Sequence, residues 1–303
     1  MSATYPISPD ELHPVGMAAA MVALQRGFDY FGIDFYIIGA VARDIWLSQI
    51  HEEPIQRMTK DLDLAVLVND ETQYEALLVW LTEKESFVRT GHSAFCLLYQ
   101  PPSDVNSVTV DLMPFGAIAD EAGDVYFSGR GMERISTVGY EAVLSGAATM
   151  TTPAGQQWQV VTLPGLVTLK LIAWQDRPEK RGKDALDVRS LLQRYFDLEQ
   201  DAIYASHHDL FDENDTADPG LFLQLVATRV LGRQLQVLLK SEPIRTRLLN
   251  LLRAELQVGD QSQLARAMSQ PQYRDEPAVP SLENSLALLG ALLTGLLDGV
   301  GEG

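Results

Sequence analysis

The sequence predicts an α+β fold: an N-terminal mixed sheet flanked by helices, followed by a helical C-terminal region. Three observations carry this expectation. Short apolar runs bounded by turn residues alternate with helix-period segments over roughly the first 120 residues. From Pro164 onward the apolar spacing is almost entirely helical. Hydrophobic residues make up 46% and charged residues 21%, enough to bury a sizeable core and far from the composition of a disordered chain. A chain of 303 residues accommodates one large domain or two ordinary ones. The change of pattern divides it into residues 1–162, an α/β domain, and residues 163–303, a helical C-terminal domain.

Asp10 to Tyr30 carry Leu, Met, Ala and Val at helical spacing and predict a first helix. Phe35-Tyr36-Ile37-Ile38 is a short apolar run ending at Gly39, the pattern of a buried strand entering a turn, and Val41 to Ile50 predicts the helix that follows. Leu62 to Val68 predicts a second strand. A helix then runs to about Lys84, with Asp70 or Thr72 as its cap. Ala94 to Tyr99 and Ser107 to Met113 predict further strands, separated by Pro101-Pro102. Gly123 to Val138 accommodates short strands, and Gln157 to Thr162 another. Pro164 stands near the first position of the next helix. Leu166–Trp174, Ala185–Tyr195, Leu221–Leu239, Ile244–Leu256 and Leu282–Leu297 predict helices. His207 to Pro219 and Ser269 to Pro280 read as loops, and no internal repeat is visible.

The charge balance restricts partners. Twenty-three basic residues stand against 41 acidic ones, a formal charge of −18. Such a surface repels nucleic acid unless its cations are gathered in one place, which argues against broad, non-specific DNA or RNA binding. The five histidines form no zinc spacing with one another or with Cys96, the only cysteine. No apolar run reaches bilayer length and no secretory leader precedes Asp10, so the expected setting is a reduced, cytoplasmic one with no membrane partner.

Chemistry concentrates in Thr59-Lys60-Asp61-Leu62-Asp63-Leu64-Ala65-Val66. Residues two apart on a strand share a face, so Asp61 and Asp63 project together while Leu62, Leu64 and Val66 face a core. Paired carboxylates at the mouth of an apolar strand call for a cation between them, and Mg²⁺ (or Mn²⁺) takes carboxylate and phosphate oxygens together. Alone, an Asp-x-Asp pair is also an ordinary solvated strand end. Ser107-Val108-Thr109-Val110-Asp111 is a second alternating strand, and Asp111 joins the pair if the two strands are neighbours. Upstream, Ile37-Ile38-Gly39-Ala40-Val41-Ala42-Arg43-Asp44 is a strand, a small-residue turn and a helix start. Such a turn either lets a phosphate approach backbone amides or simply packs a helix on a sheet.

Together these pieces resemble nucleotidyltransferases of the DNA polymerase β type: Gly39-Ala40, then Asp61 with Asp63, then Asp111 on a later strand. Ala40 departs from the glycine or serine of that pattern. Within the superfamily the chain is most similar to AbiEii-type nucleotidyltransferases, which include toxins of type IV toxin–antitoxin systems. Arg57-Met58-Thr59-Lys60-Asp61-Leu62-Asp63 and the later Lys170, Asp184 and Asp187 carry that likeness. The resemblance implies a metal-dependent enzyme that moves a nucleoside monophosphate from an NTP to an acceptor. The acceptor (tRNA, another RNA, a protein or a small molecule) is left open, as is an antitoxin partner. It implies Asp61, Asp63 and Asp111 as metal ligands, with Asp111 also assisting deprotonation. Lys170, Gly39, Ala40, Arg43, Arg57 and Asp184 are implied around the nucleotide. Read without the family, Lys170 is a lysine snorkelling from an apolar helix, Asp184 and Asp187 are partners of Arg181, Lys183 or Arg189, and Arg43 pairs with Asp44. The head of tRNA CCA-adding enzymes and poly(A) polymerases, aminoglycoside adenylyltransferases, and a non-catalytic module on the same fold are the alternatives.

Overall fold

A computed structural model describes residues 4–52, 59–91, 93–101, 107–127, 133–211, 218–272 and 279–298. It divides into two compact units, Met1–Thr162 and Leu163–Gly303. In the first unit the strands are β1 Thr4–Pro6, β2 Phe35–Ile37, β3 Asp61–Leu67, β4 Phe87–Arg89, β5 Cys96–Tyr99, β6 Val108–Phe115, β7 Asp124–Phe127, β8 Glu133–Ser136, β9 Ala148–Thr151 and β10 Gln157–Val160. Its helices are α1 Met17–Phe31, α2 Gly39–Asp44, α3 Glu71–Lys84 and α4 Tyr140–Leu144; α2 runs on as a π-helical turn over Ile45–Ile50. The mixed sheet has the order β1-β9-β10-β2-β3-β6-β5-β4, and β7 with β8 forms a separate two-stranded ribbon.

The centre of this sheet is where the sequence is most apolar. Leu62, Leu64, Ala65 and Val66 of β3 and Val108, Val110 and Leu112 of β6 have no exposed surface. β3 is antiparallel to β2 and parallel to β6. The predicted strands at Phe35, Leu62, Ala94, Ser107 and Gln157 all appear, with shifts of a residue or more at their ends. β1, β4 and β9 are additional; three or four residues are too few for alternation to stand out. The first helix begins at Met17 rather than Asp10, because Pro14 removes an amide donor and restricts His13 before it. Asp70 is the cap of α3, its carboxylate accepting the Gln73 amide at 2.8 Å. Arg57, His92 and Pro102 lie outside the described residues, as do parts of the two loops expected after His207 and Ser269.

The second unit is helical: α5 Leu163–Asp176, α6 Gly182–Ser206, α7 Pro219–Leu238, α8 Glu242–Gln257, α9 Gln263–Met268 and α10 Leu282–Leu297. α7 and α10 cross at two glycines. A Cβ on Gly295 would fall 2.0 Å from the Arg229 carbonyl oxygen, and one on Gly232 2.5 Å from that of Leu292, so only hydrogen allows the backbones this close. Arg229 and Arg233 of α7 both donate to the Asp298 carboxylate just past α10, fixing the crossing from its end. The buried Arg189 of α6 donates to the carbonyl oxygens of Met268 and Gln270, satisfying the end of α9. Among the described residues no helix is long and apolar enough to cross a membrane.

Candidate active site

Strand pairing places the three predicted acids on one face of the sheet. β3 and β6 run parallel with Asp63 opposite Asp111 and Asp61 opposite Thr109. Residues paired across neighbouring strands project to the same side, so Asp61, Asp63 and Asp111 share a face. Their neighbours Leu62 and Val110 point into the core from the other face, fully buried. This alternation anchors the register: a slip of one residue would drive the carboxylates into the core. Asp61 is exposed, whereas Asp63 and Asp111 are half-buried.

β5 extends the row. Cys96 stands opposite Asp111 on the antiparallel β5, so Asp63, Asp111 and Cys96 line up across three strands. Burial holds the Asp111 carboxyl above its ordinary range; the Cys96 hydrogen bond works against this, and the charges of Asp61 and Glu133 add to it. Burial likewise pushes the Cys96 thiol up to about 11; Thr90 opposes this, and Asp111 and Asp61 reinforce it. Cys96 is therefore a neutral thiol against a carboxylate. Glu133 is a fourth acid bearing on the site. It opens β8, and its Oε2 accepts the Ala94 amide at 2.8 Å, beside the Phe95 carbonyl that receives the Leu112 amide. Sequence reasoning missed both Cys96 and Glu133. Neither sits in a motif, and only sheet topology brings them near Asp111.

The upstream turn lies against the same face. β2 is antiparallel to β3, and the Ile38 amide donates to the Asp63 carbonyl at 3.0 Å. Gly39 then takes φ of 66°, a conformation costly for any residue with a side chain. A Cβ there would lie 2.1 Å from Asp63 Oδ2, so Gly39 is required by space as well as by torsion. Ala40 follows it in α2, half-buried. Arg43 and Asp44 are buried in this helix: the guanidinium donates to Asp44 Oδ1 through Nε at 2.9 Å and a terminal nitrogen at 2.7 Å.

In the helical unit Lys170 is buried on α5 instead of snorkelling. Its Nζ lies 2.5 Å from Asp187 Oδ2 and 3.2 Å from Asp184 Oδ1. Burial by itself would favour the neutral amine, but Asp187 and then Asp184 more than offset it and hold the pKa above its ordinary value. Asp187 is the nearer and more buried partner, while Asp184 also faces Arg181 at 3.6 Å.

The donor chemistry of the acidic face fits a hard divalent cation, since Asp61, Asp63 and Asp111 offer carboxylate oxygens from adjacent strands. Among the described residues no group of three or more His, Cys, Asp or Glu side chains is drawn together closely enough to hold a metal.

A family model described as nucleotidyl transferase AbiEii toxin, type IV TA system, matches residues 23–287. No curated protein matches the sequence. Among solved structures, the solution structure of the antibiotic-resistance factor ANT(2'')-Ia is similar at 12% identity, over 64% of this chain and 94% of that one, with a TM-score of 0.31. A likeness that shallow bears on neither substrate nor mechanism.

Proposed function

Because this chain belongs to the AbiEii family of nucleotidyltransferase toxins of type IV toxin–antitoxin systems, and is therefore a nucleotidyltransferase, we propose that it transfers a nucleoside monophosphate from an NTP at the face carrying Asp61, Asp63 and Asp111. The observation that supports this reading best is the register of β3 against β6. It sets Asp63 beside Asp111 with Asp61 on the same face, next to the Gly39 turn.

In this reading Asp61, Asp63 and Asp111 hold divalent metal, Mg²⁺ or Mn²⁺. When bound, the metal supplies charge neutralisation for the triphosphate and acidifies the attacking hydroxyl. The chain's own residues do the rest. An acceptor oxygen forms a bond to the α-phosphorus, the bond from that phosphorus to the β-phosphate bridge breaks, and pyrophosphate leaves. Asp111 assists removal of the acceptor proton. The Gly39-Ala40 turn offers backbone to the triphosphate without a side chain in the way. In the helical unit, Asp187 and Asp184 keep Lys170 protonated. An antitoxin partner follows from the type IV assignment of the family and is part of the proposal.

The test is direct. The protein is incubated with each labelled NTP, Mg²⁺ and either bulk RNA or a protein extract. Label transfer lost in Asp61→Ala and in Asp63→Ala is expected. Transfer that persists undiminished in Asp61→Ala places the chemistry elsewhere.

A further inference from the structure

A buried charge cluster holds the start of the acidic strand, and the transfer chemistry does not use it. Asp44 closes α2 and is 4% exposed; Arg43 beside it is 7% exposed. The two Asp44 oxygens have different partners. Oδ1 accepts two bonds from Arg43, and Oδ2 accepts the Thr59 hydroxyl at 2.9 Å. Thr59 lies two residues before Asp61, at the start of the described segment that runs into β3. The other end of α2 is fixed to the same strand: the Ile38 amide bonds the Asp63 carbonyl, and Gly39 packs on the Asp63 carboxylate. The helix is thus tied to the segment entering β3 at Thr59 and to β3 itself at Asp63.

A hydrogen-bonded carboxylate buried this deeply is costly to maintain, and Arg43 offsets that cost. The Thr59 hydroxyl adds a directional contact that spans from the turn helix to the strand.

We infer that Asp44 is a positioning residue for the acidic site, acting through Thr59 to fix where the segment leading into Asp61 lies against the Gly39 turn, with Arg43 serving to orient Asp44. This rests on the nucleotide-transfer reading of Asp61 and Asp63. Asp44 touches no reacting atom; its effect is on how well Asp61 and Asp63 meet a cation-bound triphosphate.

The experiment measures binding of Mn²⁺ with each of the four NTPs in turn. The free Mn²⁺ signal is followed by electron paramagnetic resonance, on full-length protein, well below the unfolding midpoint of each variant. Thr59→Val removes the hydroxyl at nearly constant volume and is expected to weaken Mn²⁺–NTP binding about tenfold, the worth of a hydrogen bond to a charged group. Thr59→Ser restores binding to within about twofold, because the donor is back. Asp44→Asn keeps an acceptor for Thr59 and falls between the two. Thr59→Val binding like the wild type overturns the inference whatever its effect on the midpoint, since a contact that only adds stability lowers the midpoint and leaves the affinity of the folded protein alone. Thr59→Ser failing to recover binding also overturns it. Asp61→Ala separates the two levels. If it binds Mn²⁺–NTP as the wild type does, or if the wild type binds none of the four, the transfer site itself is misplaced and the inference falls with it. If Asp61→Ala loses binding and Thr59→Val does not, only the positioning role fails.

Discussion

Gly39 and Asp63 are in contact so close that a single methyl group would abolish it: a Cβ on Gly39 would stand 2.1 Å from Asp63 Oδ2. The turn that precedes α2 and the acid at the centre of the site therefore share one small space.

Gly39→Ala is expected to fail on two counts. The φ of 66° costs a residue with a side chain about 1–2 kcal/mol, and the new methyl must displace the Asp63 carboxylate. NTP-dependent label transfer should fall at least about a hundredfold, the effect expected when a reacting group is moved by about 1 Å. Thermal unfolding followed alongside separates this loss from simple instability.

Asp111→Asn should trade function for stability. The Asp111 carboxyl titrates above its ordinary range, chiefly through burial and with further push from Asp61 and Glu133. The folded state thus holds that proton more tightly than the unfolded chain. Its ionisation weakens the fold as pH rises from the ordinary carboxylate range through the raised folded value, and above that the penalty stays constant. Without added metal, Asp111→Asn is expected to unfold at a higher temperature than wild type at pH 7. The gain should vanish below the ordinary carboxylate range, where both proteins are neutral at this position. Added Mg²⁺ with NTP should stabilise the wild type and leave Asp111→Asn unmoved. A variant less stable than wild type at pH 7 would contradict the electrostatic account of the site.

Asp187 and Asp184 are expected to differ. Asp187 is the nearer partner of the buried Lys170, at 2.5 Å against 3.2 Å. Breaking a buried pair costs about 3–5 kcal/mol, so Asp187→Ala should lower stability by that order in urea unfolding and Asp184→Ala by clearly less. The Lys170 pKa is raised, so the pair's contribution is complete at neutral pH and lost as pH climbs through the folded value, above the ordinary lysine range. Equal effects of the two substitutions would show that proximity does not rank these partners.

Gly295→Ala tests the helical unit. Its Cβ would lie 2.0 Å from the Arg229 carbonyl oxygen, which belongs to backbone and cannot turn aside. Forcing α7 and α10 apart is expected to cost about 1–3 kcal/mol or more, against the small gain alanine brings to an unobstructed helix position. Gly290→Ala is the control, because nothing lies within 4 Å of its Cβ position.

Much of this protein was legible from sequence wherever the relevant physics is local. The alternation of Asp61-Leu62-Asp63-Leu64 puts two acids on one face and two leucines on the other in any strand, and the structure has that arrangement. Asp70 caps its helix because a carboxylate three residues before a free amide does so by geometry alone. The helical character of the last third follows from the spacing of its leucines. The first helix starts later than its apolar spacing predicts, because the amide that Pro14 lacks cannot be replaced.

What only the tertiary structure decided is pairing at a distance. The sequence placed Asp111 on a strand, but its position beside Asp63 depends on β3 and β6 being neighbours, parallel and in one particular register, and a shift of one residue would have turned it to the far face. Cys96 and Glu133 reach Asp111 only through that topology. The bond from Thr59 to Asp44 spans fifteen residues, and that from Lys170 to Asp187 seventeen. Such contacts are fixed by which core surfaces bury each other, a property of the folded chain as a whole. The sequence by itself determined the kinds of groups present and the face each would take on its own element. Packing determined which of them meet.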